Sequence, residues 1–514
     1  MLTLADIARK GARIHADREA IVFEGTRLTY RELDRRVNRV ANALLRLGLA
    51  KGERLAVLAD NTHKYLEVYL AAAKAGLVTV PINARLAPEE MRHILDDSEA
   101  ALVLAGDGYE ELASKLRATA KTVRTWVGLD REFAGLEYEA LLRQAPDVDP
   151  AAPVGENDLT ILMYTGGTTG TPKGAMLSHR GLLSGMVATT QQMGFTARDV
   201  TCMCLPLFHI SFWPAFCHLM VGGKVVVVRR PTIAGVLKPI QDERCTHVNA
   251  VPTLYNWMLE APEAKQFDVS SLRLMTYAGS PIPEQVLRRC IERFGNIFAQ
   301  IYGLTEGGGG TALMQEDHVV DGPRSKLLRS AGKELLLTEV RVVDDAGKEV
   351  PRGATGEVAI RGANVMMGYW KKPEQTAAAL RDGWLHTGDV GTMDEEGYLY
   401  LVDRKADMIV TGGENVYPTE TENVLYKHPR VQECVVISAP DAKWGERVQA
   451  VVVLRPGPAV TEDELIAFCK ERLAGYKCPK KIEFWDALPK SAVGKLLRRD
   501  VKAKFWEGRD RRIG

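Results

Sequence analysis

The stretch Leu159-Thr160-Ile161-Leu162-Met163-Tyr164-Thr165-Gly166-Gly167-Thr168-Thr169-Gly170-Thr171-Pro172-Lys173-Gly174 decides how the chain is read. Leu159 to Met163 is an apolar run of strand length. From Tyr164 onward, four threonines, four glycines and one lysine share a single loop. Such a loop offers bare backbone N–H groups, hydroxyls and an ammonium, which is the chemistry of a phosphate cradle. It is not a Walker loop. The G-x-x-x-x-G-K-[ST] spacing is absent, and Pro172 deletes a backbone donor. Ordinary glycine-rich turns carry neither the threonines nor the lysine.

On both sides of this loop the chain alternates strands and helices. Leu33, Val37, Val40, Leu44 and Leu47 step by four and three, which predicts an amphipathic helix with Gly48 just past its end. Leu55–Leu58 and Ala101–Leu104 read as strands around a helix over Tyr65–Ala75. Later, Leu272–Tyr277 and Ile297–Tyr302 read as strands around a helix from Pro283 to Gly295. The alternation predicts α/β layers with largely parallel sheets and ligands at the carboxyl ends of strands. After Arg361 the texture changes to glycine-rich turns and acidic residues. A charged junction, Asp403-Arg404-Lys405-Ala406-Asp407, precedes a compact α+β pattern. There a helix is expected over Pro418–Tyr426, strands over Val431–Ile437 and Val448–Leu454, and a helix opened by the capping box of Thr461 and Glu464. The expected organisation is a large N-terminal domain over 1–402, built of layered α/β subdomains with a small β-barrel-like part. A small mobile α+β domain over 403–514 follows it.

The chain has 514 residues, too many for one core. Lys plus Arg number 67 against 66 Asp plus Glu, a formal charge of +1, which argues against nucleic acid or an anionic membrane as a bulk partner. Cysteines and histidines are scattered without zinc spacing, so reduced buried thiols in a cytoplasmic protein are expected. Met1 to Asp6 meets charge too early for a signal peptide. Val200 to Gly223 carries no formal charge and has bilayer-spanning length. Its prolines, His209, His218 and Gly222-Gly223 mark it instead as buried chain lining an apolar pocket. Peripheral membrane contact stays open, as does the choice between monomer and homodimer.

Four more motifs accompany the loop: Tyr302-Gly303-Leu304-Thr305-Glu306; Gly383-Trp384-Leu385-His386-Thr387-Gly388-Asp389; Asp403-Arg404-Lys405 with Thr411-Gly412-Gly413-Glu414-Asn415; and Pro489-Lys490-Ser491-Ala492-Val493-Gly494-Lys495. Singly, a T-G-D turn is a turn and a terminal G-K a solvated lysine. Together and in this order they resemble the acyl-adenylate-forming enzymes, a superfamily of acyl-CoA synthetases, firefly luciferase and nonribosomal adenylation domains. The resemblance spans nearly the whole chain.

That resemblance implies a two-step reaction. A carboxylate attacks the α-phosphorus of ATP to give acyl-AMP and pyrophosphate, and a thiol then displaces AMP. It implies that Thr165, Gly166, Gly167, Thr168, Thr169, Gly170 and Lys173 hold the β- and γ-phosphates. Tyr302 and Gly303 would stand on one face of adenine, with Gly279 and Ser280 on the other. Thr305 would touch the α-phosphate, and Glu306 would hold Mg²⁺, a hard cation suited to carboxylate and phosphate oxygens. Asp389 and Arg404 would meet the ribose. Lys495 would neutralise the reacting carboxylate and α-phosphate. Asp403 matches the hinge about which the small domain turns. Gly412, Gly413 and Glu414 match the wall of a pantetheine tunnel, where a backbone without Cβ lets the thiol arm pass. Gly166 departs from the serine more usual in the family.

Phe208-His209-Ile210-Ser211 stands where amino-acid-activating relatives carry F-D-x-S, so an amino acid substrate is disfavoured. His209 would instead gate an acyl pocket built from His209, Ile210, Trp213, Tyr277, Ala278, Gly279, Gly307 and Gly308. The run Gly307-Gly308-Gly309-Gly310 predicts room at that wall, hence a large acyl group rather than acetate: a medium- or long-chain fatty acid is the leading expectation, and an aryl-propenoate of the coumarate or ferulate type is the alternative. Few residues follow Lys495, too few for a carrier-protein domain, so free CoA is the expected acceptor. The expected activity is an ATP-dependent acyl-CoA ligase acting on a small-molecule carboxylic acid. A luciferase-like oxygenase and a ligase-derived protein without catalysis are the readings set against it.

Overall fold

The computed structural model of the protein describes residues 2–165, 172–280, 282–404, 407–411, 414–441, 444–490 and 496–507; for Arg404 and Asn415 it describes the backbone alone. Two largely parallel sheets dominate the N-terminal part. The first has six strands in the order Thr125–Gly128, Ala100–Ala105, Arg54–Leu58, Val78–Pro81, Leu159–Thr165, Lys173–Ser178. All neighbours are parallel except the last pair, which places Lys173 opposite Thr165. The strands are apolar on both faces, as helix-covered parallel strands must be. Ala100–Ala105 is buried along its whole length.

The second sheet has nine strands. Its parallel centre runs Phe298–Leu304, Leu274–Ala278, His247–Ala250, Val200–Met203, Lys224–Val227, Glu19–Phe23. Antiparallel strands close both edges: Thr26–Thr29 at one, Gly308–Leu313 and Lys333–Glu334 at the other. Helix Tyr30–Arg46 carries the four–three pattern seen in the sequence. It buries Leu33, Val37, Val40 and Leu44, and Thr29 with Glu32 forms its capping box, a device of about 1 kcal/mol. The uncharged stretch after Val200 is a strand, a short 3₁₀ turn at Ile210–Phe212 and the helix Trp213–Val221. Among the described residues no helix is long and apolar enough to cross a membrane.

A third, antiparallel sheet of five strands follows, the curled half-barrel: Thr338–Val343, Gly356–Gly362, Trp384–Met393, Leu380–Arg381 and Leu399–Arg404. The C-terminal part has its own sheet and its own core. Val431–Asp441 pairs with Gly445–Leu454, flanked by the hairpin of Ile409–Thr411 with Glu414–Val416 and by Lys481–Phe484. Val436, Val448, Val452 and Leu465 pack at its centre. Thr461 caps the helix Glu462–Lys470 as its motif requires. All eight cysteines are buried and unpaired.

Asp403, near the end of Leu399–Arg404, ties the two parts together. One carboxylate oxygen accepts hydrogen bonds from Thr419 N (2.9 Å) and Thr419 Oγ1 (3.1 Å), and the other accepts from Arg498 Nη1 (3.0 Å). Arg498 also donates from Nη2 to both oxygens of Glu422, at 2.7 and 2.8 Å. Burial pushes the Glu422 carboxyl up, and Arg498 opposes that shift. Replacing Arg498 by Met leaves these carboxylates without their cation and should cost roughly 3–5 kcal/mol of stability. Glu422 then keeps a raised folded-state pKa unopposed. A raised value stabilises the fold below the unfolded pKa and is lost as pH rises through the folded one. The deficit should therefore shrink as pH falls towards 4.5, the ordinary value for Glu422. Urea titrations at pH 5 and 8 that give the same deficit would contradict this account.

Candidate functional site

Three strand ends converge at the edge between the two parallel sheets. Leu159–Thr165 brings in Thr165, Phe298–Leu304 leads into Thr305 and Glu306, and Leu274–Ala278 leads into Gly279 and Ser280. These are carboxyl ends of parallel strands, where helix-covered sheets leave a crevice. Glu306 Oε1 accepts two hydrogen bonds of 3.0 Å, from Thr165 Oγ1 and from Tyr369 Oη. The backbone carbonyl of Glu306 accepts from Met366 N at 2.7 Å. Lys173 Nζ lies 5.3 Å from the centre of the Tyr369 ring. Residues 166–171, the middle of the phosphate-type loop, lie outside the described residues, so Gly166, Gly167, Thr168, Thr169 and Gly170 are not placed.

Mg²⁺ fits this donor set. Both hydrogen bonds to the Glu306 side chain fall on Oε1, and Oε2 has no protein partner among the described residues. A hard cation shared between one carboxylate and phosphate oxygens needs such an acceptor. Glu306 would hold it.

Tyr302 and Asp389 meet directly: Tyr302 Oη donates to Asp389 Oδ2 at 2.7 Å, and both residues are buried. Thr387 Oγ1 accepts from Asp389 N at 3.1 Å. Arg404 stands opposite Asp389 in the ladder. The antiparallel pairing of the half-barrel therefore assembles what lies far apart in sequence. Gly279 has φ +82° with open space around it, so a planar ligand can approach its backbone. Gly303 is pinned: a Cβ there would lie 2.0 Å from the Gly308 carbonyl oxygen.

The glycine run after Glu306 does not open a cavity, contrary to the expectation from sequence. A Cβ on Gly307 would meet Leu385 at 2.9 Å, on Gly309 Leu335 at 2.6 Å, on Gly310 Ile360 at 2.8 Å, and on Gly308 the Trp213 ring at 3.3 Å. Neighbouring side chains occupy the space that the missing ones leave. Asn364 clamps the run, donating from Nδ2 to the carbonyls of Gly307 (2.5 Å) and Gly309 (3.1 Å). Gly307 is buried, and only Gly308 of the two expected pocket glycines borders the crevice beside Thr305. That crevice is narrow, too tight for water, and lined by Ile210, Trp213, Leu182, Val365 and Thr305. Trp213 is held across it. Its Nε1 donates to Thr189 Oγ1 at 3.1 Å, and its ring lies where a Cβ of Gly185 would be, 2.6 Å away.

Tyr277 is a second correction. It is fully buried in the core, its hydroxyl shares a hydrogen bond of 3.0 Å with His318 Nε2, and it does not line the crevice. Burial there pushes His318 down to about 4. Ala278 is half-buried at the end of the same strand. His209 is exposed, next to Ile210 at the start of the 3₁₀ turn, and so is not a core histidine. Glu414 pairs with Thr411 in the C-terminal hairpin. Gly412, Gly413 and Lys495 lie outside the described residues. Sequence reasoning missed Tyr369, Asn364 and Thr189. Each does its work across tertiary contacts, and none sits in a motif with a periodic or chemical signature.

Residues 8–370 match the family described as AMP-binding enzyme, and residues 420–495 match the AMP-binding enzyme C-terminal domain. A feruloyl-CoA synthase of Amycolatopsis sp is 40% identical over 496 residues, covering 96% of this chain and 97% of its own. A long-chain-fatty-acid–CoA ligase of Mycobacterium tuberculosis is 36% identical over 514 residues, covering 98% and 99%. Among solved structures, ATP-bound MatB from Rhodopseudomonas palustris superposes with a TM-score of 0.90 at 30% identity, covering 98% and 99%.

Packing at the site separates its two mobile-looking glycines. Gly303→Ala forces a Cβ into backbone and should cost roughly 3 kcal/mol. Gly279→Ala meets only the left-handed strain, about 1 kcal/mol. Urea midpoints of the two variants should differ accordingly; equal losses would refute the close packing at Gly303.

Proposed function

We propose a substrate and a division of labour for a chain that belongs to the AMP-binding enzyme family and is an AMP-forming acid–thiol ligase of its acyl-CoA synthetase branch. In the first step a carboxylate oxygen forms a bond to the α-phosphorus of ATP, and the bond to pyrophosphate breaks. In the second, the sulfur of CoA bonds to the acyl carbon, the thiol proton is lost, and AMP leaves. Both reactants of the first step are anions, so the site has to supply positive charge and fixed geometry. Lys173 and the loop 165–173 grip the β- and γ-phosphates in this reading. Thr305 stands at the α-phosphate, and Lys495 covers the charge that develops there. Mg²⁺, held by Glu306 and the phosphates, would supply further neutralisation when bound. Tyr302 and Asp389 receive the nucleoside, with Gly279 and Ser280 opposite. The Tyr302–Asp389 hydrogen bond supports this, because it presents the carboxylate beside the face where adenine would lie.

The acid is the finer question. The observation that carries our reading is Trp213, fixed by Thr189 across the crevice beside Thr305. A ring held there favours a compact, flat acyl group over a long flexible one. We assign an aryl-propenoate of the feruloyl or coumaroyl type, in keeping with the 40% identity to feruloyl-CoA synthase. A fatty acid is the second reading, favoured by the long-chain ligase at 36%. His209, exposed beside the crevice residue Ile210, would gate entry in either case.

Asp403 is assigned the hinge between residues 1–402 and 403–514. It lies near the end of the last strand before the C-terminal sheet, and its carboxylate is anchored to Thr419 and Arg498 of that part. Glu414, on the C-terminal hairpin, would line the path of the CoA arm together with Gly412 and Gly413. ATP, CoA and eight unpaired thiols suit a cytoplasmic setting.

A panel of acids from C2 to C16, with benzoate, coumarate and ferulate, read out as AMP release with CoA, tests the assignment. Ferulate or coumarate should lead, and Trp213→Ala should raise turnover of C12–C16 acids relative to them. Wild-type preference for C12–C16 acids would refute the aryl reading. Lys495→Ala should abolish acid-dependent pyrophosphate exchange yet spare thioester formation from supplied acyl-AMP; equal loss in both assays would remove Lys495 from the first step.

A further inference from the structure

We propose that Tyr369 is a positioning residue of the phosphate site, holding the Glu306 carboxylate and the Lys173 ammonium apart so that both charges stay available to ATP and its metal ion. The proposal rests on the reading of Glu306 and Lys173 as metal and phosphate ligands.

A carboxylate and an ammonium on neighbouring strand ends ordinarily find each other. Here Lys173 is the ladder partner of Thr165, and Thr165 is hydrogen-bonded to Glu306. Yet among the described residues no ion pair joins Lys173 to Glu306. Tyr369 meets each group with a partner that does not neutralise it. Its hydroxyl donates to Glu306 Oε1 at 3.0 Å. Its ring face lies 5.3 Å from Lys173 Nζ, within cation–π range.

The tyrosine is itself fixed. Its N–H donates to Thr376 Oγ1 at 2.8 Å. The segment around it is laced to the strand Lys173–Ser178. Met367 N donates to the Met176 carbonyl at 2.9 Å, Met176 N to the Gly368 carbonyl at 2.9 Å, and Trp370 N to the Gly174 carbonyl at 2.8 Å. Trp370 Nε1 donates to the Asp97 carbonyl at 3.0 Å. The segment also reaches Glu306 through Met366 N. A partner fixed on both sides orients a ligand group, which is how outer contacts tune a metal carboxylate.

The test is calorimetric binding of ATP to the full chain, with EDTA and with increasing Mg²⁺, for wild type, Tyr369→Phe and Tyr369→Leu. Tyr369→Phe keeps the ring and loses the hydroxyl. It should bind metal-free ATP like wild type but need about tenfold more Mg²⁺ for half of the metal-dependent gain in affinity. Tyr369→Leu removes the ring as well and should also weaken metal-free ATP binding, as Lys173 turns to Glu306. A Mg²⁺ requirement unchanged in Tyr369→Phe overturns the proposal, and so does a loss of metal-free binding equal in both variants. If the leucine variant does not fold, the phenylalanine variant decides. A wild type that binds no ATP at all would instead refute the ligand roles of Glu306 and Lys173.

Discussion

The site depends on one carboxylate oxygen. Glu306 Oε1 takes a hydroxyl from Thr165 at the end of the six-stranded sheet and a second from Tyr369 in the segment that follows the half-barrel strand Gly356–Gly362. Glu306 itself follows directly from a strand of the nine-stranded sheet. Three separately folded pieces thus meet at one charged atom. A partly buried carboxylate is costly unless it is hydrogen-bonded, and charge-assisted bonds are the stronger kind. The fold uses one oxygen of this carboxylate, and the other has no protein partner among the described residues.

The glycine run after Glu306 follows a different logic. Around Gly307 to Gly310 the backbone runs so close to Leu385, Leu335, Ile360 and Trp213 that no side chain fits. Interiors are packed to crystal density, so small residues usually mean close approach rather than empty space. A large residue, Trp213, faces Gly308. Trp213 is held by Thr189 and seated over Gly185, one helix away in sequence. The packing beside Thr305 is therefore a property of a packed pair of helices and a strand, and not of the glycine run alone.

The link between the two parts of the molecule is also electrostatic. Asp403, Glu422 and Arg498 form a largely buried group whose members come from the last half-barrel strand and from two C-terminal helices. Further out, Arg455 of the C-terminal part lies 3.3 Å from Glu260 of the large part, and Lys490 lies over Trp257. Exposed pairs of this sort are weak and easily exchanged.

The sequence by itself determined the layered α/β class, the positions of the strands and helices read along it, the helix caps at Gly48 and Thr461, and the five motifs that mark the family. These are local: hydrophobic period, capping residues and turn glycines act over a few neighbours, so they can be read along the chain. Tertiary structure alone decided that Tyr302 grips Asp389, that Tyr369 stands between Lys173 and Glu306, that Tyr277 belongs to the core with His318, and that Trp213 fills the space opposite the glycines. Each of these is a contact between residues separated by tens to hundreds of positions. No periodicity encodes such a contact, because it comes into being only when two sheets and their covering helices have packed.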